Sequence, residues 1–263
     1  MKHVWRAIAV AVLLSNPTAA LAQDAQAQAN NPLANVTAVN LQNYYVGELT
    51  GPADDANQFV LRIAQPFSID QSKWLLRLSA PVNSYPVGAN FGIDTGLGDV
   101  NAFAAYLIDT GNPAVSFGVG PQVVAPTATE TGLGSDQWQL GFANVLFNAS
   151  SSKLQYGYLL TYSNGIGDTG KNQRVQLGAF QPFAFYQLGG GWYTGGAPIW
   201  TYNFANDDYS FPLGLRLGKV IQRDGNVFNL FVEPQYSVAD RGYGNPEWQV
   251  FFALNMQFGN KAP

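Results

Sequence analysis

The sequence predicts an all-β fold, a closed antiparallel up-and-down transmembrane β-barrel of about 12 strands. Beyond residue 58, large apolar residues alternate with polar or small ones, which is the period of a strand with two unlike faces. Charged residues make up only 11% of the chain, against roughly 25% in ordinary soluble domains. Short turns also alternate with generally longer loops, as they do in outer-membrane barrels.

The clearest predicted strand is the last, over residues 248–258. Its even positions are all large and apolar, and its odd positions are mostly polar or small. A tilted strand of this length, with Trp248 and Phe258 at its ends, can cross a bilayer. The pattern indicates a ribbon with one apolar face and one polar face.

The N-terminus carries a different signal. Lys2 and Arg6 precede and flank an apolar run over residues 7–14, and Ala20-Leu21-Ala22 follows. This order predicts a cleaved secretory signal peptide over residues 1–22, because the apolar run is too short for a membrane helix. Residues 23–35, rich in Ala, Gln and Asn, predict a flexible periplasmic segment. The barrel is then expected over 36–258, with a periplasmic tail over 259–263.

The first strand, over residues 36–48, is the least certain, and a short helix that plugs the barrel is the competing interpretation. Asp224-Gly225 predicts a tight hairpin, and residues 83–98 a long loop. Four prolines inside strands, Pro66, Pro121, Pro182 and Pro234, predict bulges or kinks. The clearer strands are predicted near residues 59–69, 74–82, 100–108, 115–123, 138–146, 154–162, 174–188, 192–204, 213–217, 228–236 and 248–258.

The lipid environment requires the sheet to close. In lipid, the unpaired backbone groups of an open sheet edge cannot be satisfied, so the strands must form a barrel. An even number of strands places both termini on the periplasmic side. The alternative is a soluble sandwich, in which two stacked sheets share a dry interior.

Residues 95–108 (TGLGDVNAFAAYLI), the aromatic C-terminal strand and the AQPF and FQPF segments carry a resemblance. They are similar to the transporter-like outer-membrane proteins grouped under the meta-pathway of phenol degradation, some of which are labelled neuromedin U. The resemblance implies an outer-membrane barrel that passes aromatic or other hydrophobic compounds. It carries over no functional residue, because its motifs are structural.

Composition argues against catalysis and against nucleic-acid binding. The chain has no Cys, and its one His, His3, lies in the predicted signal peptide. Nucleophilic chemistry that depends on a histidine base is therefore not expected, nor is a zinc site, and no cofactor or metal is predicted. The net charge of −4, without basic runs, does not suit phosphate binding. Calcium held by the Gly- and Asp-rich stretches 95–99, 131–136 and 165–170 is a weaker alternative to loops that meet lipopolysaccharide-bridging cations.

Strand parity predicts which residues line the lumen. Opposed charges across a lumen select solutes in diffusion porins, but the same arginines could instead pair with Glu233 and glutamines to fill a narrow, closed interior. Inward aromatic residues likewise suit either a hydrophobic path or a plugged core. The predicted lining residues are Arg62, Arg77, Arg216, Glu233, Asn101, Gln122, Gln139, Gln155, Gln235, Phe103, Phe180 and Phe231.

Two functions follow from these features. The first is an outer-membrane channel for small molecules, hydrophobic or aromatic ones among them, by passive or facilitated diffusion. The alternative is a non-conducting structural or adhesive barrel that acts through its extracellular loops. Expected partners are outer-membrane lipid and lipopolysaccharide, the small-molecule solute, and the barrel-assembly machinery through the C-terminal strand ending at Phe258.

Overall fold

The computed structural model describes residues 28–52, 54–87, 92–167 and 174–259. The predicted signal peptide, residues 23–27 of the predicted periplasmic segment and residues 260–263 of the predicted tail lie outside these ranges. Within them, no helix has the length and apolarity that a membrane span requires.

The described chain folds into one antiparallel sheet of 15 strand segments. The segments are β1 (Thr37–Leu49), β2 (Ala56–Ile69), β3 (Ser72–Val87), β4 (Gly92–Leu97), β5 (Val100–Ile108), β6 (Val115–Ala125), β7 (Gln139–Asn148), β8 (Leu154–Gly165), β9 (Gln176–Gly189), β10 (Trp192–Gly196), β11 (Trp200–Asn203), β12 (Asp208–Gly214), β13 (Arg216–Arg223), β14 (Asn226–Arg241) and β15 (Pro246–Phe258).

The sheet closes on itself. The first segment, β1, pairs with β2 on one side and with β15 on the other, where Thr37 lies opposite Phe258. Three barrel strands each consist of two segments, namely β4 with β5, β10 with β11, and β12 with β13. The described chain is therefore a closed antiparallel barrel of 12 strands, as predicted, and the stacked-sheet sandwich is wrong.

Burial alternates along the strands as the sequence predicts. In β15, Trp248, Phe252 and Phe258 are exposed, whereas Phe251 and Ala253 are buried. A band of large exposed apolar side chains results, as a lipid-facing wall requires. Its members include Phe59, Leu61, Ile63, Leu76, Leu78, Leu140, Phe142, Leu217, Leu230 and Val232.

Two of the three strand interruptions lie next to one another in the barrel. Residues 197–199 separate β10 from β11, and Leu215 separates β12 from β13. The backbone N–H of Leu215 donates to the carbonyl of Pro234 on β14, so the second break lies beside that proline. Pro182 likewise lies opposite the first break, between the pairs Gly196–Ala184 and Trp200–Phe180. Pro66, Pro121, Pro182 and Pro234 all keep the register of their strands, so no bulge forms at these four positions, and the kinks stay a prediction.

Several connections can be compared with the prediction. The uncertain first strand is confirmed as β1, and its interpretation as a helix is wrong. Residues 83–98 are not a long loop, because β3 and β4 extend the sheet as a projecting hairpin with Val82 opposite Leu97. The Asp224-Gly225 turn is confirmed, with positive φ at both residues (51° and 78°), as a type I′ hairpin needs.

The N-terminal described segment, residues 28–35, lies inside the barrel at the end where the short turns lie, near Phe258, and we call it the plug. Its residues Ala29, Asn31, Leu33 and Ala34 are buried. The flexible periplasmic segment that composition predicted is thus wrong for these residues. A composition rich in Asn and Gln is typical of disordered segments, but here these side chains form hydrogen bonds with the inner wall.

Candidate functional site in the barrel lumen

The plug is held on several sides of the inner wall. Asn30 Nδ2 donates to Gln155 Oε1 (3.3 Å) on β8, and Asn31 Nδ2 donates to Ser116 Oγ (3.0 Å) on β6. On the opposite side, Asn229 Nδ2 of β14 donates to Asn30 Oδ1 (2.9 Å). These bonds stabilise one position of the plug, and each joins two neutral groups. Such bonds contribute about 0.5–1.5 kcal/mol each, so the plug is held by modest interactions.

Above the plug, Glu233 is the centre of a buried polar cluster. Its carboxylate accepts from Arg216 Nε (2.6 Å), from Gln235 Nε2 (2.7 Å) and from the backbone N–H of Ala197 (3.1 and 3.2 Å). Gln235 in turn accepts from Gln249 Nε2 (2.6 Å). Glu233 has no exposed surface, so these partners, and not water, stabilise its charge.

Aromatic rings surround the Arg216 guanidinium. Its carbon lies 3.5 Å from the centroid of the Phe231 ring and within 6 Å of Phe185 and Phe251. Phe251 also stacks on Tyr44 of β1, with centroids 4.1 Å apart and planes 8° apart. Together these contacts fix Arg216 and Tyr44 as rigid parts of the wall.

The break between β10 and β11 gives the lumen a shelf. The backbone N–H of Ala197 donates to the Glu233 carboxylate, and the Ala197 carbonyl accepts from Gln181 Nε2 (2.9 Å). Pro198 follows, and it has no N–H to offer a neighbouring strand. Residues 197–199 are therefore bound by inward-facing side chains in place of a continuous strand ladder, and we call them the shelf.

Two cavities lie in series inside the barrel. The inner one, about 130 Å³, is bounded by the plug, and the outer one, about 240 Å³, lies toward the longer loops. Tyr44, Arg62 and Ile199 of the shelf line both cavities. These three residues therefore lie at the boundary between the two cavities, which we call the constriction.

Arg62 and Arg77 are the cations of the inner cavity without a carboxylate partner among the described residues. Arg62 lies opposite Ser79 and Arg77 opposite Ala64, so the two are diagonal neighbours on β2 and β3. Arg62 Nε donates to Ser79 Oγ (3.0 Å), and the Arg77 guanidinium lies 4.2 Å from the Phe103 ring centroid. The Nε of Arg77 is buried and has no hydrogen-bond partner in the described part of the chain.

All of the predicted lining residues but one fall on the inner face. The cluster described above contains four of them, Arg216, Glu233, Gln235 and Phe231. In this cluster Arg216 pairs with Glu233, which is the pairing that one of the two interpretations predicted. Gln155 contacts the plug, and Gln139 accepts from Ser163 Oγ (2.7 Å) nearer the longer loops. The others are Arg62, Arg77, Phe103, Asn101 and Gln122, the last two of which pair with inward positions of neighbouring strands.

Phe180 is the exception, and its predicted inward orientation is wrong. It pairs with Leu160 and Trp200, and its ring lies 5.6 Å from that of Tyr158 and 5.8 Å from that of Trp200, on the outer face. In β9 the inward positions are Phe183 and Phe185 instead. Both faces of β9 carry aromatic residues, so the sequence pattern alone did not identify the inner one.

Residues that the sequence analysis missed complete the site. Tyr44 and Ile199 at the constriction, and Asn30 and Asn31 of the plug, were not predicted. Parity within β1 would have placed Tyr44 inward, opposite Phe251. For the plug, the sequence offers no signal, because its bonds join it to strands far along the chain.

The Gly- and Asp-rich stretches act structurally where they can be seen. Asp99 accepts from the N–H and the hydroxyl of Ser135 (both 2.7 Å) and thereby ties the loop after β6 to the projecting hairpin. In the described ranges, His, Cys, Asp and Glu side chains do not gather in threes as metal ligands would.

A scan against protein-family models and a search of curated proteins find no match. Solved structures do match. The chain is similar to an outer membrane channel from Pseudomonas putida F1, with a TM-score of 0.62 and 12% identity over 85% of this chain and 94% of that one. It is also similar to the NanC porin, with a TM-score of 0.54 and 11% identity over 84% and 98% of the two chains. At identities this low, the structural similarity shows the fold alone. The chain therefore shares the barrel architecture of those two proteins.

Proposed function

We propose that this protein is an outer-membrane channel that passes small solutes along the axis of its barrel. The observation that carries the proposal is the pair of cavities in series, about 130 and 240 Å³, joined at Tyr44, Arg62 and Ile199. A barrel built only as a scaffold has no need of polar chambers on its axis. The apolar outer wall supports the membrane location, and both similar structures are described as a channel or a porin.

The plug determines when the path is open. It bounds the inner cavity, and neutral side-chain hydrogen bonds hold it to the wall. Since such bonds are individually weak, displacement of the plug is the step that connects the inner cavity with the periplasmic side. The hydrophobic or aromatic character of the solute is part of this proposal and is supported by Phe183, Phe185, Phe231 and Phe251 along the inner cavity. Membership of the phenol-degradation family stays a prediction.

Planar bilayers test the proposal. The mature chain and a variant that lacks residues 28–35 are reconstituted, and single-channel conductance and liposome swelling are measured. We expect the variant without the plug to conduct more than the full chain and to admit larger neutral solutes. If neither protein conducts and neither supports swelling, the channel proposal fails.

The alternative is a non-conducting barrel that acts through its loops. One observation favours it: the plug and the buried Arg216–Glu233 pair both lie in the lumen and are bound to the inner wall. The same bilayer measurement on the full chain separates the two functions, because only a channel conducts with its plug still attached.

A further inference from the structure

We propose that the inner cavity is a binding site for a small organic anion, a carboxylate on an apolar or aromatic body. This inference rests on the proposed channel function, because it names the class of solute that the same lumen would take. It depends on the charge of the cavity, on its unused hydrogen-bonding groups and on the arrangement of its two walls.

The first argument is charge. Three arginines line the inner cavity, Arg62, Arg77 and Arg216, and no carboxylate lines it. Glu233 lies behind Arg216 and is bound by four donor–acceptor contacts, so it neutralises that arginine alone. Arg62 and Arg77 are left as two like charges on neighbouring strands. Diagonal neighbours of this kind are roughly 7–8 Å apart, which is close enough for one carboxylate to lie between them.

The second argument is unused hydrogen-bonding capacity. Arg77 Nε is buried without a partner in the described chain, and only the Nε of Arg62 has one there, at Ser79. An arginine presents five donors in a planar fork that suits a carboxylate. Buried amide oxygens of Gln42 and Asn255 in the same lining also lack partners, but as acceptors they suit a donor elsewhere on the ligand and not its carboxylate. Buried polar groups are normally satisfied, so this wall is prepared for a ligand with polar atoms.

The third argument is the opposite wall. Phe183 and Phe185 of β9, Phe231 of β14 and Phe251 of β15 line the same cavity as the arginines of β2 and β3. Phe183 and Phe185 lie across the barrel from Arg62 and Arg77, whereas Phe231 and Phe251 lie beside the paired Arg216. A cavity of about 130 Å³ is close in size to a cavity of about 150 Å³ that accepts benzene in another protein. The chamber therefore suits a small aromatic carboxylate better than a sugar or a free inorganic ion.

Binding in lipid nanodiscs tests this inference without any need for conduction. Isothermal titration calorimetry of the mature chain would compare benzoate with benzyl alcohol, which has the same ring without the charge, and with acetate, which has the charge without the ring. We expect benzoate to bind about tenfold or more tightly than either, since both halves of the ligand are used. Equal binding of benzyl alcohol or of acetate, or no binding of any of the three, overturns the proposal.

Variants locate the site. Arg77→Gln and Arg62→Gln should each weaken benzoate binding about tenfold, because each removes a charge-assisted contact. Arg223→Gln is the matched control, since Arg223 lies on an exposed turn beside Asp224 and away from the lumen. Heat-modifiable migration on denaturing gels shows that each barrel has folded. Unchanged benzoate binding in the folded Arg62→Gln/Arg77→Gln double variant overturns the assignment, whereas the absence of conductance counts only against the channel.

Discussion

Arg216 Nε and Glu233 Oε2 lie 2.6 Å apart inside the barrel, in an ion pair almost fully removed from solvent. The pair holds the shelf through Ala197 and orients the Phe231 and Phe251 rings around the guanidinium. It therefore joins the break in the barrel wall to the constriction.

Removal of one partner should be costly. We expect Glu233→Ala to destabilise the folded barrel by about 3–5 kcal/mol, because a buried guanidinium is left without a counter-charge. Denaturant unfolding in lipid vesicles measures the change. Arg223→Gln, in the exposed pair with Asp224, should change stability by less than about 1 kcal/mol. A Glu233→Ala variant as stable as this control would contradict the role given to the pair.

The outer wall makes a second prediction. Leu61 faces outward near the middle of β2, and Leu61→Arg should cost about 2–4 kcal/mol in a bilayer, because an arginine at the midplane is poorly solvated. Ile93, also apolar and exposed, lies in the projecting hairpin, and Ile93→Arg should change stability by no more than about 0.5 kcal/mol. Equal costs at the two positions would show that Leu61 does not face lipid.

The plug can be tested with thiols, because the chain has no cysteine of its own. Asn31→Cys combined with Ser116→Cys replaces a contact of 3.0 Å between plug and wall. A short, reducible thiol crosslinker should abolish the conductance of this variant, and reductant should restore it. Single-cysteine variants treated in the same way should show no change. Conductance that persists after complete crosslinking would mean that the plug does not gate the path.

Tyr44 should set the width of the constriction. Tyr44→Ala in the variant without the plug is expected to raise single-channel conductance, because the ring lies between the two cavities. It should also lower stability by about 0.5–1.5 kcal/mol beyond the loss of buried area, since the stack on Phe251 is lost. Tyr44→Phe keeps the ring and should resemble the wild type. A conductance unaffected by Tyr44→Ala would place the constriction elsewhere.

Most strands of the barrel could be predicted because the alternation of apolar and polar residues lies within the sequence of each strand. The alternation through Trp248, Phe252 and Phe258 on one face and Phe251 on the other identifies the lipid and lumen faces directly. Periodicity failed where both faces of a strand have the same chemistry, as in β9, where Phe180 and Phe183 are equally aromatic. It also missed the extension of β3 and β4, since the backbone pairing of a projecting hairpin needs no apolar face.

Three local features follow from the sequence alone: the strand period, the Asp224-Gly225 turn, and the small set of charged residues at inward positions. The partner that each inward residue finds depends on the tertiary structure. Glu233 satisfies Arg216 and leaves Arg62 and Arg77 without a counter-charge, and Asn30 and Asn31 bond to strands far along the chain. Such pairings depend on which strands lie beside or across from one another once the cylinder has closed. No short stretch of sequence holds that information, because the bonds join residues that are up to 229 positions apart.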